Sequence, residues 1–169
     1  MKPTLLLVDD SELVLSELSL ILRESGIFSG IFKARDGEDA IRTTMKEKPG
    51  LIVLDLQMPR MDGFTFLRWL MTNHPVPVVV FSSQGTDDNI FRAMEIGAVD
   101  FITKPDTYID DMFRTYFLDK MRVALEANVR PGRQPSIQHV VVPTPGKTVG
   151  PSEYDIQAIE IGRASCRER

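Results

Sequence analysis

The sequence predicts an α/β fold, a doubly wound parallel sheet of five strands alternating with five helices, and three observations carry that prediction. Short apolar runs, Leu5 to Val8, Leu51 to Leu54 and Val78 to Phe81, are too short for helices and read as strands buried on both faces. Longer stretches between them carry apolar residues at helical spacing. Four of the strands also end on a polar group: Asp9 and Asp10 after the first, Asp55 after the third, Ser82 and Ser83 after the fourth, Lys104 and Pro105 after the fifth. Right-handed crossovers leave few topologies, and strand order 2-1-3-4-5 is the natural one. That order makes the first and third strands neighbours, so Asp9, Asp10 and Asp55 converge at the edge where open α/β sheets bind ligands.

Taken in order, Thr4 to Val8 is the first strand. Ser11 or Asp10 can cap a helix whose stripe is Val14, Leu18, Ile21 and Leu22, with Gly26 as its stop. Gly30 to Ala34 is a weaker, edge-like strand. The turn Arg35, Asp36, Gly37 opens a second helix, with Ala40, Ile41, Thr44 and Met45 on its inner side, ending before Pro49 and Gly50. After the central strand Leu51 to Leu54, a third helix from Gly63 to about Thr72 buries Phe64, Leu67 and Leu70 or Met71, and the prolines from Pro75 break it. Strand four is Val78 to Phe81. Asp87 or Asp88 caps a helix bearing Ile90, Ala93 and Met94, which Gly97 ends. Asp100 to Thr103 is strand five, and a last helix spans about Ile109 to Ala127. It carries Phe113, Tyr116, Phe117 and Met121, more apolar surface than one stripe needs, so part of it is expected to meet a partner.

The organising stretch is Leu51 to Gly63. Its strand stops at Asp55, Pro59 cannot extend it, and Gly63 is expected to supply a backbone conformation closed to other residues. An isolated aspartate here would more often satisfy turn amides. The other strand ends outweigh that reading, because together they assemble what a phosphoryl-transfer site requires.

Composition bounds the rest. A chain of 169 residues holds one ordinary domain with some tail, and 43% hydrophobic residues suffice for a core. A net charge of −4 gives no basic footprint for nucleic acid. There is no apolar run long enough to span a membrane, and Met1 leads directly into a strand instead of a signal peptide, so a cytoplasmic location is expected, without membrane insertion. The single cysteine, Cys166, excludes an internal disulfide. No glycine-rich loop with Lys and Ser/Thr is present, which removes nucleotide hydrolysis of that type. His74 and His139 lack metal-ligand spacing, and Trp69 is read as packing.

The acid pair Asp9 and Asp10, the run Asp55, Leu56, Gln57, Met58, Pro59, Arg60, Met61, Asp62, Gly63, then Ser82, and Lys104 with Pro105, resemble a response-regulator receiver domain over about residues 3 to 127. The resemblance implies a flavodoxin-like fold and a phospho-accepting switch of two-component signalling. Three close carboxylates must raise a pKa or bind a cation. Magnesium suits an all-oxygen site of this kind. Carried over from the family, Asp10 and Asp55 would ligate Mg2+ directly, Asp9 through water and Gln57 through its backbone carbonyl, while Asp55 is the nucleophile that forms an acyl phosphate. Lys104 would pair with a phosphoryl oxygen, and Pro105 after it could hold a cis peptide that aims the side chain. Ser82 would donate a hydrogen bond to the phosphoryl group, with Ser83 the weaker candidate. Phe101 occupies the position of an aromatic switch that turns inward when the hydroxyl moves. For single residues the plainer alternatives are an ordinary ion pair for Lys104, a turn or cap for Ser82 and core packing for Phe101.

The domain reading is a receiver at 1–127, a Pro/Gly-rich linker at 128–152 and the start of an output domain at 153–162. The linker holds five prolines and three glycines around the short apolar run Val140 to Val142. Tyr154 to Gly162 resembles the first strand of a chemotaxis-type protein-glutamate methylesterase domain, but the sequence that follows departs from that family's glycine-rich nucleophile motif, and Ser165 is not assigned as a nucleophile. Ile161 to Arg169 also matches a translation of a sequencing-adapter oligonucleotide, and is set aside as a scar would be. The resemblance implies a histidine kinase of the chemotaxis type as phosphodonor, an output domain met by the face of helix 4, strand 5 and helix 5, and chemoreceptors as substrates of the esterase. The chain itself would only phosphorylate and dephosphorylate at Asp55. Two rivals are a stand-alone receiver acting as an interaction module, against which the linker argues, and a phosphatase with an aspartyl-phosphate intermediate, which would want an acid where Gln57 stands.

Overall fold

The computed structural model describes residues 2–106 and 109–127. The linker at 128–152, the segment 153–162, the adapter-like tail at 161–169, and with them His139, Ser165 and Cys166, lie outside the described residues. Five parallel strands, β1 (Thr4–Val8), β2 (Gly30–Ala34), β3 (Leu51–Leu54), β4 (Val78–Ser82) and β5 (Asp100–Thr103), form one sheet in the order 2-1-3-4-5. Five helices connect them: α1 (Glu12–Ser25), α2 (Gly37–Glu47), α3 (Gly63–Asn73), α4 (Asp87–Ile96) and α5 (Asp111–Glu126). This is the flavodoxin-like architecture expected from the sequence. None of these helices is long and apolar enough to cross a membrane.

Alternation along the strands divides the core into two layers. Leu6, Val8, Ile52, Leu54, Val78, Val80 and Phe101 pack with residues of α2, α3 and α4. Leu5, Leu7, Leu51, Val53, Val79, Phe81 and Ile102 pack with α1 and α5 on the other face. With both faces covered, β1, β3 and β4 have no use for polar residues in mid-strand, which is why they read as continuous apolar runs.

Several boundaries shift for local reasons. Ser11 caps α1, its Oγ accepting the Val14 amide, and Gly26 ends that helix at φ 63°. Thr86, not Asp87 or Asp88, caps α4 by accepting the Asn89 amide; the two acids occupy the first turn, where they complement the helix dipole. Asp110 caps α5, so that helix begins later than Ile109. Phe66 is fully buried in α3 alongside the neighbours that the spacing singles out, whereas Met45, expected on the inner side of α2, is exposed. Phe117 and Met121 carry the core contact of α5, while Phe113 and Tyr116 are half-buried at its margin.

Gly63 is needed for space and not for conformation. Its φ is not in the left-handed region, which among the described non-glycine residues only Lys48 and Arg60 enter. A Cβ at position 63, however, would lie 2.2 Å from the Asp55 carbonyl oxygen and 2.7 Å from the Leu56 Cα, both backbone atoms that cannot step aside. The Gly63 amide donates to the Leu56 carbonyl at 3.0 Å, closing the loop neck directly behind the strand-end carboxylate. Gly63→Ala is expected to destabilise the fold by about 2–3 kcal/mol, the upper range for overpacking. Urea unfolding checks this, and a loss below about 0.5 kcal/mol would contradict the close approach.

Candidate functional site

The register of the sheet builds the site. Val8 stands opposite Leu54, so the next residues, Asp9 and Asp55, leave adjacent strands side by side. Backbone bonds continue past the strand ends and fix both: the Asp9 amide donates to Ala34 at 3.1 Å and the Asp55 amide to Val8 at 2.8 Å. On the far side, the Lys104 amide donates to the Ser82 carbonyl at 3.0 Å, which carries β5 forward until the lysine side chain leaves the same edge.

Each carboxylate oxygen can be assigned a partner. Asp9 Oδ1 accepts the Ser11 amide at 2.9 Å, and Asp55 Oδ1 accepts the Gln57 amide at 3.1 Å. The Lys104 Nζ lies 2.7 Å from Asp9 Oδ2 and 2.6 Å from Asp55 Oδ2, bridging two acids that are each 3% exposed. Asp10 is exposed, and carboxylate oxygens of Asp9, Asp10 and Asp55 all lie within 4.8 Å of one another. Three acids on one open edge form a cation site in charge and donor type, and the hard oxygen set suits Mg2+ better than a metal that prefers nitrogen or sulfur.

Burial and pairing act against each other here. Burial raises the Asp9 pKa, opposed by the Lys104 and Ser11 hydrogen bonds, and the net shift is upward. Burial alone would lower Lys104, but hydrogen bonds and the charges of Asp55 and Asp9 prevail and hold it above its ordinary 10.5. Buried Asp9 is therefore undercompensated as a charge, even with an ammonium in contact.

The remaining expected residues separate into those brought to the site and those held behind it. Ser82 is fully buried at the end of β4, and its Oγ has no hydrogen-bond partner among the described residues. Ser83 is exposed, and its Oγ donates to Gln57 Oε1 at 3.1 Å across the two loops. Gln57 thus sits at the mouth of the acid pocket. Phe101 is buried in the apolar layer that also holds Val80, Ala93 and Ala98. The expected cis peptide before Pro105 is overturned: no peptide bond among the described residues is cis. The trans bond is the lower-energy isomer even before proline, and the β4–β5 pairing already aims Lys104 at both acids.

Two features do not follow from the sequence. One is the Ser83–Gln57 bond. The other is an ion pair between Arg60, in the loop after Asp55, and buried Asp36, which caps α2. The only signal for it is opposite charge in two loops at one sheet edge, a pattern too common to single out.

A neutral residue in place of undercompensated Asp9 should relieve the fold. A carboxyl whose folded pKa is raised binds its proton more tightly when folded, so protonation favours folding at low pH and the charged form is a cost at neutral pH. Asp9→Asn is expected to stabilise the metal-free protein on the order of 1 kcal/mol at pH 7. The gain should shrink as pH falls toward the ordinary aspartate range of 3.8, where the native carboxyl is itself neutral. Denaturant unfolding at both pH values tests this; destabilisation at pH 7 would refute it. Lys104 has the same sign in the alkaline range: its stabilising pairing is complete below 10.5 and lost as pH rises through its raised folded value.

Comparison with known proteins gives one consistent answer. The response regulator receiver domain family matches residues 5–112. A protein-glutamate methylesterase/protein-glutamine glutaminase of Anaeromyxobacter dehalogenans is 46% identical over 101 residues, covering 60% of this chain and 29% of that protein. Relatives of this kind are longer, and the chain spans 29% to 42% of their length. The response regulator domain of Thermotoga maritima CheB superposes with a TM-score of 0.66 at 31% identity, covering 76% of this chain and 99% of that one. The CheX–CheY–BeF3–Mg2+ complex of Borrelia burgdorferi superposes with a TM-score of 0.62 at 28% identity, covering 71% of this chain and 87% of that one.

Proposed function

The chain belongs to the response regulator receiver family, and from that premise we propose that Asp55 accepts a phosphoryl group from a histidine kinase of the chemotaxis type. The observation that carries the reading is the shared ammonium: one lysine contacts both buried acids at 2.6 and 2.7 Å, on the edge where Asp10 stays open to solvent.

In this reading a carboxylate oxygen of Asp55 attacks phosphorus. The phosphorus–nitrogen bond of the donor phosphohistidine breaks as the acyl phosphate forms, and the imidazole leaves with the electron pair of that bond. Two like charges must approach for this to happen, so positive charge at the site matters more than acid–base chemistry. Bound Mg2+ would supply part of it, held by Asp10 and Asp55, by Asp9 through water and by the Gln57 carbonyl; a solved structure similar to this chain is described as a complex with BeF3 and Mg2+, which supports a divalent cation at such a site. Lys104 supplies the rest, moving its contact from the carboxylate oxygen of Asp55 to an oxygen of the transferred group. The unpartnered Ser82 hydroxyl is a donor with no competing bond, ready for a second phosphoryl oxygen. Drawing it inward toward that oxygen moves the β4–α4 loop, and Phe101, at the switch position, is already buried before that movement.

The output in this proposal is a protein-glutamate methylesterase carried by a longer parent chain. Residues 1–127 act as receiver, 128–152 as linker and 153–162 as the beginning of the esterase domain. The face of α4, β5 and α5 meets that domain, and chemoreceptors are the substrates of the esterase. The names and lengths of the relatives support this, as does the proline- and glycine-rich composition after Ala127.

Incubation with acetyl phosphate and magnesium should load the wild-type chain with one phosphoryl group, released by hydroxylamine as an acyl phosphate is, and chelation of the metal should prevent loading. Asp55→Asn should fall to background. Stoichiometric label on that variant would sink the assignment of Asp55.

A further inference from the structure

The loop from Leu56 to Asp62 carries Gln57 past the acid pocket, and it is held at two separate places. Its neck is closed by the Gly63 amide on the Leu56 carbonyl at 3.0 Å and by the Gln57 amide on Asp55 Oδ1 at 3.1 Å. Its tip is docked on the first turn of α2. There the Gly37 amide donates to the Met61 carbonyl at 3.3 Å. The Met61 side chain lies so close over Gly37 that a Cβ at that position would be 2.5 Å from Met61 Cγ. Arg60 reaches the same turn and pairs with Asp36 Oδ2, while Asp36 Oδ1 accepts the Asp39 amide at 2.8 Å as the helix cap.

Three details distinguish this pair from an ordinary surface contact. The Asp36 side chain is 3% exposed whereas Arg60 is 65% exposed, so a buried acid is closed from outside by a guanidinium. A helix cap needs no such burial, and a buried carboxylate without a cation is strongly disfavoured. Arg60 also adopts φ 64°, a conformation that non-glycine residues keep only where their surroundings over-determine it. Finally, the other side of the loop is tied as well, by Gln57 to Ser83.

We propose that the Arg60–Asp36 pair is a positioning device, which sets the Gln57 peptide against Asp55 and so tunes the affinity of the acid pocket for a divalent cation. The proposal rests on the reading of that pocket as the phosphorylation site. Neither Arg60 nor Asp36 is among the groups assigned to hold the cation or the reacting atoms, and their hydrogen bonds go to each other and to the α2 cap. They act through the short path of the loop, with Asp36 anchoring it to the rigid start of α2.

The test is calorimetric titration of magnesium chloride into the full chain and its variants, with thermal melting alongside. Arg60→Gln removes the charge, and Arg60→Gly removes it while relieving the left-handed backbone. Both are expected to weaken magnesium binding roughly tenfold, the low end for residues that act behind metal ligands. Arg60→Lys should recover part of the loss. Phosphorylation by acetyl phosphate should need correspondingly more magnesium for half its rate, with the plateau within about twofold of wild type, since the transfer machinery is untouched. A purely structural role for Arg60 would lower the melting temperature and leave the affinity of the folded protein alone. Wild-type affinity in Arg60→Gly overturns the proposal, because the turn and not the pair would then be what matters. Wild-type affinity in both variants overturns it as well. Absence of magnesium binding in the wild type would overturn both this inference and the reading of the pocket, which separates the two failures.

Discussion

Asp9 and Asp55 are almost sealed from solvent, and the ammonium of Lys104 lies within hydrogen-bond distance of both. Like charge held this close, out of water, is tolerable only with a cation in contact. The molecule meets that condition incompletely, since Asp9 remains a carboxyl whose proton is held more tightly than usual. Everything else about the sheet edge follows from keeping these groups together. Backbone bonds from Asp9 and Asp55 to the neighbouring strands leave the two acids no room to splay, and the close approach of Gly63 to the Asp55 carbonyl closes the route behind them. The stress between stability and charge is thus built into strand register, and it is relieved by adding positive charge beside the acids or by removing a negative one. That is the physical basis for a site that responds to a cation and to a phosphoryl group, both of which rearrange the same balance.

The features legible in the sequence are those imposed by burial and by covalent geometry. β1, β3 and β4 are apolar throughout because both sheet faces are covered, and the order 2-1-3-4-5 follows from handedness, so the convergence of Asp9, Asp10, Asp55 and Lys104 can be read from the strand ends alone. The features not legible depend on distance between loops. Gly63 suggests a role for dihedral freedom, but it serves by lacking a Cβ beside Asp55, a contact that no local pattern reveals. Thr86 takes the cap from Asp87 and Asp88 because all three residue types can cap and only the chain path decides among them. A cis bond before Pro105 is unnecessary because strand pairing already directs Lys104. Met45 has helical spacing compatible with the core, yet its side chain is exposed.

The loops that frame the acid pocket are braced against one another. Gln57 ties the β3–α3 loop to Ser83, and Arg60 ties it to Asp36. Across the pocket, a Cβ at Gly85 would lie 2.5 Å from Thr103 Oγ1, so the β4–α4 loop rests directly on the end of β5. Ser82 stands opposite Thr103 in the ladder, and Phe101 stands opposite Val80. A displacement of the Ser82 hydroxyl toward a group on Asp55 would therefore be felt at two places on β5, at Thr103 through the loop and at Phe101 through the strand. The strands are buried on both faces, so they resist bending and pass on small shifts along their pairing. The Ser82 side chain has no hydrogen-bond partner among the described residues, so its motion breaks none of their bonds. A buried hydroxyl that has no bond to lose and a bond to gain biases the loop toward whichever state supplies an acceptor, and in the proposed reaction that acceptor arrives with the phosphoryl group.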